Sequence, residues 1–249
     1  MLSESQSEVT KANIDMYLKE LGKEYRKRVG KSVPAELIII GGASILINYG
    51  FRDITMDVDA IIRASSSMKD AINSVGNRFN LPHSWLNADF CETNSFSPKL
   101  EEFSVYYRTF SNVLTIRTVS AEYLIAMKLR SGRQYKRDFS DVLGILAEHK
   151  RRGTPITLEQ IHKATSDLYG NWSSLPEASQ AFVANAIKNG DYEQLYLRVL
   201  EDEKETKELL IQFELDYPSV TAKDNVDGIA ETLQQKTDKA SLLAQLRQM

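Results

Sequence analysis

A short apolar run that ends in two glycines constrains this chain more than any other feature of its sequence. Residues 36–40 (ELIII) are rich in β-branched side chains, which predicts a strand buried on both faces. Gly41 and Gly42 end that strand, and residues 43–50 (ASILINYG) suit a short helix that closes at a glycine. The next apolar run, residues 56–62 (MDVDAII), alternates as a second strand does. The order strand, glycine pair, helix, strand therefore defines the start of an α/β core.

Two acidic residues, Asp57 and Asp59, stand inside the second strand pattern. Charged side chains are seldom buried without a partner, so this pair needs an explanation. Residues two apart on a strand point to the same face, about 6.6 Å from each other along the axis, so both carboxylates could bind one cation site. Mg²⁺ (or Mn²⁺) takes oxygen ligands and leaves its remaining positions to water or substrate phosphates. The alternative is a solvated edge strand that turns both acids outward.

The glycine pair predicts where a phosphate would bind. Because glycine has no β-carbon, the backbone N–H groups of Gly41 and Gly42 can approach a phosphate closely at the N-terminus of the following helix. Ser44 could add a hydroxyl group to the same site. A glycine pair after a strand is also common as a simple turn. Combined in this order with the acidic pair, it favours phosphoryl transfer.

The periodicity of the whole chain predicts an α+β fold: a small mixed sheet flanked by helices, followed by a helical C-terminal half. Further strands are predicted at residues 103–109 and 114–119. Helices are predicted at residues 6–29, 68–79, 121–133, 136–149, 158–170, 176–188, 191–217 and 238–248. We expect four parts, namely an N-terminal helix packed on the core (1–31), an α/β core (32–119), a helical domain (120–218) and a tail that is mobile or docks on a partner (219–249).

Composition narrows the setting in which this chain works. Its 249 residues are 42% hydrophobic and 26% charged, as in ordinary soluble proteins. Cys91 is the only cysteine, which excludes an intrachain disulfide and a cysteine-based zinc site. No apolar run approaches the roughly 20 residues of a membrane span, and the first residues do not resemble a signal peptide. These features predict a cytoplasmic protein with no membrane partner.

The net charge of −3 gives no global nucleic-acid signature, so an anionic partner would have to meet a local basic patch. The segment 128–137 contains five cations, Lys128, Arg130, Arg133, Lys136 and Arg137. This basic cluster could hold an RNA or NTP backbone, or it could be a solvated helix end. Arg52 stands between the glycine pair and the acidic pair, where it could bind a phosphate or form a structural ion pair.

These motifs carry a resemblance to a known superfamily. Residues 41–44 (GGAS), Arg52 and residues 55–59 (TMDVD) resemble the hG[GS]…DxD signature of the DNA polymerase beta-like nucleotidyltransferases. The chain is further similar to a bacterial branch related to the nucleotidyltransferase toxins of abortive-infection systems. That similarity includes the segments LPHSWLN (81–87), SAEYLIAMKLRSGR (120–133) and RDFSD (137–141). The resemblance spans residues 37–146.

The resemblance implies Mg²⁺-dependent transfer of an NMP group from an NTP. It makes Asp57 and Asp59 the metal-binding carboxylates, and it places the nucleotide contacts at Gly41, Gly42, Ser44, Arg52 and Thr55. In the toxin-like branch a lysine and an acid on the following helices complete the site, which here match Lys128 and either Asp138 or Asp141. The implied acceptor is a tRNA 3′ end or another RNA or protein hydroxyl. The implied setting is a toxin or phage-defence system with an antitoxin partner.

One feature departs from the superfamily pattern. Many members carry a third carboxylate on a later core strand, whereas residues 103–109 and 114–119 contain no acid. Glu101 and Glu102 stand just before the first of these strands. Either Lys128 and the acids of RDFSD replace the missing group, or the chain is a catalytically silent nucleotide-binding or protein-interaction module with the same fold.

Overall fold

The computed structural model describes residues 7–222 and 225–235. These residues form two compact units. Unit 1 contains the described residues up to 127 together with 159–174, and unit 2 contains 128–158 and the described residues from 175 onward. The four-part division expected from the sequence stays a prediction.

The strands lie in unit 1. They are β1 (Val9–Thr10), β2 (Ala35–Ile39), β3 (Ile54–Thr55), β4 (Val58–Arg63), β5 (Leu86–Asn87), β6 (Ser104–Phe110) and β7 (Leu114–Val119). Five of them form a sheet in the order β5-β4-β2-β7-β6, and β1 pairs separately with β3. In the sheet, β2 runs antiparallel to β4 and parallel to β7, so the sheet is mixed. The predicted α+β class with a small mixed sheet is confirmed.

The helices follow the predicted order closely. They are α1 (Ile14–Val29), α2 (Gly41–Asn48), α3 (Ser67–Phe79), α4 (Ala121–Ser131), α5 (Asp138–Arg151), α6 (Leu158–Tyr169), α7 (Glu177–Asn189) and α8 (Tyr192–Asp216). A further helical stretch covers residues 226–235, and short 3₁₀ turns occur at Asp89–Glu92, Pro98–Glu101 and Trp172–Ser174. The helix predicted at 238–248 lies outside the described residues. The first helix begins later than predicted because residues 9–10 pair with β3.

One face of the sheet supplies the main core of unit 1. Alternate residues of neighbouring strands, such as Leu37 and Ile39 of β2 and Val58 and Ala60 of β4, are buried together with apolar residues of α1 and α3. Side chains alternate along a strand, so Asp59 lies on the opposite face from its two neighbours. The alternation predicted from the sequence thus sets which face of the sheet carries the acid.

Unit 2 is helical in its described part. Apolar residues at helical spacing along α5, including Phe139, Val142 and Leu146, are buried. Helix α5 packs against α8, where Leu210 is also buried. Among residues 7–222 and 225–235, no helix combines the length and the apolar character that crossing a membrane requires.

Candidate functional site

The first residue of α2 and the acid of β4 lie next to each other in unit 1. The Ile40 N–H donates to the Asp59 carbonyl oxygen at 3.0 Å, which fixes the start of α2 beside the start of β4. Gly41 has φ of 59°, a left-handed conformation that side chains disfavour. A β-carbon at Gly41 would lie 3.4 Å from Asp59 Oδ2. The glycine therefore lets the backbone at the helix N-terminus approach the Asp59 carboxylate.

Gly42 lies against two polar side chains, Arg52 and Thr55. A β-carbon at Gly42 would lie 2.6 Å from Arg52 Nη2 and 2.9 Å from Thr55 Oγ1. The Arg52 Nε–H donates to the Ile54 carbonyl oxygen at 3.1 Å, which holds the guanidinium in this position. The absence of a side chain at Gly42 thus brings a cation and a hydroxyl group to the first turn of α2. These groups, with the helix dipole, are suited to an anionic ligand.

Asp57 is placed differently from the prediction. Strand β4 begins at Val58, so Asp57 precedes it rather than lying within it. The backbone of Asp57 is held by Thr55, whose hydroxyl donates to the Asp57 carbonyl oxygen at 3.1 Å. Asp57 is exposed and Asp59 is half-buried. The prediction that both acids lie inside one strand is therefore wrong, because β3 pairs with β1 and the chain turns at residues 56–57.

The donor set fits a metal ion that arrives with its nucleotide. Among the residues that the structure describes, no group of three or more histidine, cysteine, aspartate or glutamate side chains could hold a metal ion. Asp57 and Asp59 would leave most positions of Mg²⁺ to water and phosphate oxygens, as is usual for this ion. Gly41 lies beside Asp59, and the Arg52 guanidinium fills the space that a side chain would take at Gly42. Metal binding at these two acids stays a prediction.

Ser44 fits its predicted role least well. It is fully buried in α2, and the nearest polar partner of its hydroxyl is the Asn48 amide at 3.5 Å. A phosphate at the start of α2 would meet the backbone of Gly41 and Gly42 before it reached this hydroxyl. The sequence could not show this, because the burial of one helix face depends on what packs against it.

Lys128, Asp138 and Asp141 form a buried ionic cluster in unit 2. Lys128 Nζ lies 2.9 Å from Asp138 Oδ1 and 2.9 Å from Asp141 Oδ2. All three side chains are at most 8% exposed. The two acids lie one turn apart at the start of α5, so one lysine contacts both; which of them completes the site stays a prediction. Lys128 is thus a buried cation paired with two carboxylates, although the sequence placed it in a basic cluster that could hold an RNA or NTP backbone.

Arg133 supplies the second positive charge of this cluster. Its Nε lies 2.8 Å from Asp138 Oδ2, so Asp138 accepts from two cations. Burial favours the neutral form of Asp138, but the positive charges of Lys128 and Arg133 outweigh it and hold the pKa of this carboxyl below its ordinary value. Arg137 donates to the Tyr196 hydroxyl at 3.3 Å. Of the five cations in the predicted RNA-binding cluster, Lys136 alone is exposed, and the other four are buried or half-buried.

Glu203 of α8 was not among the site residues predicted from the sequence. One of its oxygens accepts from the backbone N–H groups of Phe139 and Ser140, at 2.8 and 3.2 Å, and so caps the first turn of α5. Glu203 is 4% exposed, and burial together with the charge of Asp141 raises its pKa to about 7. No sequence signal could have found it, because Glu203 lies more than 60 residues from the two N–H groups that it caps.

The level of the sheet beside Asp59 has no second acid. The registers pair Ala60 and Thr118 with the same residue, Ile39, from opposite sides of β2. Moving one residue on from Ile39 to Ile40 places Asp59 of β4 and Val119 of β7 on either side of it. These two residues are therefore level with each other and on the same face of the sheet. Val119 is apolar and 2% exposed. Of the two acids that precede β6, Glu101 forms an ion pair with Arg63 and Glu102 is exposed.

Comparison with known proteins adds one match. A family model with the description "Nucleotidyltransferase of unknown function (DUF6036)" matches residues 16–149, which is more than half of the chain. The matched segment includes all of the site residues predicted from the sequence, whereas Glu203 lies outside it. No curated protein and no solved structure matches the chain.

Proposed function

The chain belongs to the nucleotidyltransferase family DUF6036, and from this premise we propose that it transfers an NMP group from an NTP to a hydroxyl group of an RNA or a protein. The observation that carries the proposal is the start of α2. There Gly41 and Gly42 bring the backbone beside the Asp59 carboxylate and the Arg52 guanidinium. An acid and a cation at one helix N-terminus are the groups that a metal-bound triphosphate needs.

Each residue has a stated task in this reaction. The N–H groups of Gly41 and Gly42 bind phosphate oxygens, and Arg52 neutralises part of their charge. Asp57 and Asp59 would hold Mg²⁺ or Mn²⁺, which when bound neutralises charge that develops on the transferred phosphate. The acceptor oxygen forms a bond to the α-phosphorus, the bond to the neighbouring phosphate breaks, and pyrophosphate leaves. The acceptor proton leaves to solvent water, because Asp138 and Asp141 are buried and already paired with cations.

The acceptor and the biological setting rest on the resemblance described above. A tRNA 3′ end is the first acceptor to test, and a protein hydroxyl is the second. A toxin or phage-defence role with an antitoxin partner accompanies this proposal. The exposed Lys136 supplies only a small part of the basic surface that the sequence suggested for RNA.

A second function, a catalytically silent nucleotide-binding or interaction module, is favoured by a specific observation. Val119 occupies the position level with Asp59 where a further carboxylate would stand, and it is apolar and buried. Lys128, Asp138 and Asp141 also satisfy one another's charges inside unit 2. A chain with this function would bind an NTP without transferring any part of it.

The experiment that tests the proposal measures transfer of label from each α-labelled NTP, with Mg²⁺ or Mn²⁺, into total RNA and total protein. Wild type is compared with Asp57→Asn and Asp59→Asn. The matched control is Asp53→Asn, which makes the same change at an exposed acid in the loop that precedes β3. We expect label with wild type and the control, and at least a hundredfold less with either site variant, since both acids bind the same ion.

The outcomes separate the two functions. Label that requires Asp57 and Asp59 supports the transferase and identifies both the nucleotide and the class of acceptor. If folded wild type binds Mg²⁺–NTP but labels nothing, the silent module is the better description. If Asp59→Asn transfers label as well as wild type does, the proposed site is wrong.

A further inference from the structure

Helix α8 carries an exposed stripe that neither the family match nor the proposed reaction uses. Six residues spaced alternately four and three apart form it, and we call them the α8 stripe: Leu197, Glu201, Lys204, Glu208, Ile211 and Leu215. One gap of four and one of three make the seven-residue repeat of a coiled coil, which keeps all six on one side of the helix. All six are exposed, including Leu197 at 67%, Ile211 at 52% and Leu215 at 69%.

The buried side of α8 lies elsewhere on the helix. Glu203, Thr206 and Leu210 are buried, and α8 packs against α5 within unit 2. At 100° per residue these three positions point roughly opposite to the α8 stripe. Large apolar side chains are therefore exposed at both ends of the α8 stripe, and three charged residues lie between them.

The sequence of the α8 stripe is complementary to a second copy of itself that runs in the opposite direction. If two copies of α8 lie antiparallel, with their centres at residue 206, Leu197 meets Leu215 of the second copy at both ends. Lys204 then meets Glu208 of the second copy, and the two-fold symmetry forms this ion pair twice. In the remaining layer, Glu201 covers Ile211 with its methylene groups and keeps its carboxylate in water. We propose that the α8 stripe is the interface of a homodimer in which two α8 helices pack antiparallel.

The parallel arrangement is disfavoured by charge. It would place Glu201, Lys204 and Glu208 each opposite its own copy, which makes three layers of like charge. A different protein as the partner would not need the sequence of the stripe to be self-complementary. A second copy of this chain is therefore the occupant that the pattern fits.

The size of the surface sets the strength of the dimer. A single pair of helices buries an area toward the lower end of specific interfaces, which bury about 1,200–2,000 Å² in total. Each copy contributes only three large apolar side chains. We therefore expect a dimer that dissociates on dilution, with a Kd in roughly the micromolar range.

Cysteine cross-linking of the full chain tests the orientation. In a Cys91→Ser background, Leu197→Cys/Leu215→Cys is oxidised and compared with each single cysteine variant. Within one α8 the two positions are about 27 Å apart, so an intrachain disulfide cannot form. We expect a covalent dimer from the double variant and little from either single variant. Cross-linking of the single variants would show parallel helices, and cross-linking of none would show that the stripe does not pair; either result overturns the proposal.

A charge exchange provides an independent test that leaves the apolar residues unchanged. Sedimentation is measured for Lys204→Glu, Glu208→Lys and the double exchange Lys204→Glu/Glu208→Lys, with Lys207→Glu as a control at an exposed position off the stripe. Each single change creates two like-charge contacts by symmetry, so we expect dimerisation to weaken by on the order of tenfold. The double exchange and the control should dimerise as wild type does. A wild type that remains monomeric at high concentration, or a double exchange that stays as weak as the single changes, would overturn the proposal.

Discussion

Gly42 shows at the scale of one residue how the candidate site depends on an absent side chain. Its α-carbon lies under the Arg52 guanidinium and the Thr55 hydroxyl, so the first added atom would overlap both. The arginine can move at its far end, whereas Thr55 is buried and cannot. The glycine therefore sets the position of Arg52, and through its contact with Thr55 it also affects the stability of the fold.

The first prediction concerns Gly42→Ala. We expect it to reduce NTP binding at least tenfold, because Arg52 must leave its place, and to lower the free energy of unfolding by only about 1–2 kcal/mol. Gly50→Ala is the matched control, since no atom of the described chain lies within 4 Å of its added carbon. Binding and chemical denaturation of both variants check this, and equal loss of binding in the two would contradict it.

Lys128 shows a residue whose predicted role and observed surroundings differ. In the sequence it is one of five cations within residues 128–137, whereas in the structure it is buried between two carboxylates. Removing one partner of a buried ion pair is costly because the other charge stays without compensation. The stability of unit 2 therefore depends on a residue that family resemblance connects only with activity.

The second prediction is that Lys128→Met lowers the free energy of unfolding by about 3–5 kcal/mol. The double variant Lys128→Met/Asp141→Asn should recover part of this loss, because it removes the carboxylate that loses the lysine. Lys136→Met, an exposed lysine of the same segment, should change stability by less than about 0.5 kcal/mol. Urea denaturation measures all three. No recovery in the double variant would show that the lysine stabilises the protein by packing rather than by charge.

At the scale of elements, α5 and α8 are joined by a buried acid. Glu203 of α8 accepts two backbone N–H groups from the first turn of α5, and Asp141 lies close enough to raise its pKa further. The same turn holds Asp138 and Asp141, so Glu203 positions the helix that carries both candidate acids. Since the pKa of Glu203 is about 7 in the folded protein, the cap changes its charge near neutral pH.

The third prediction follows from the sign of that shift. A carboxyl group whose pKa rises on folding binds its proton more tightly in the folded protein, so the free energy of unfolding falls as pH rises from about 4.5 to about 7. Above and below this window the contribution is constant. Glu203→Gln should remove this part of the pH dependence, which amounts to a few kcal/mol at most. Urea denaturation between pH 4.5 and 8 tests it, and a slope that persists in the variant would assign the effect to other groups.

The order and kind of the elements were largely readable from the sequence, because hydrophobic period depends on local geometry. The apolar run of β2 and the positions on α5 that are buried follow this rule. The errors lie where distant segments pair. Residues 9–10 form β1 instead of the start of a helix, since β3 supplies its partner strand, and Asp57 stands in the turn that this pairing creates.

At the scale of the whole molecule, the predicted site residues fall into two groups in different units. Gly41, Gly42, Arg52, Thr55, Asp57 and Asp59 belong to unit 1, whereas Lys128, Asp138 and Asp141 belong to unit 2. The family match at residues 16–149 includes both groups and crosses the boundary between the units. The question that follows is whether both groups contact the same substrate.

The fourth prediction answers it by hydrogen exchange. We expect Mg²⁺ with a non-hydrolysable NTP to slow amide exchange at residues 40–60, and the resemblance to the toxin-like branch implies slowing at 128–141 as well. Slowing of about tenfold is expected when the nucleotide is present at ten times its Kd. Asp59→Asn should show slowing in neither segment. Protection confined to residues 40–60 would leave the Lys128 cluster with a structural role and would contradict its assignment to the site.

The sequence by itself determined the fold class and the order of the elements, and it predicted a nucleotide site at the start of α2. Glycine pairs, β-branched runs and helical periods act within a few residues, so they can be read without the rest of the chain. Only the tertiary structure decided that Ser44 is buried, that one lysine contacts both Asp138 and Asp141, and that Glu203 caps α5. Burial and charge compensation depend on segments far apart in sequence, and only folding brings those segments together.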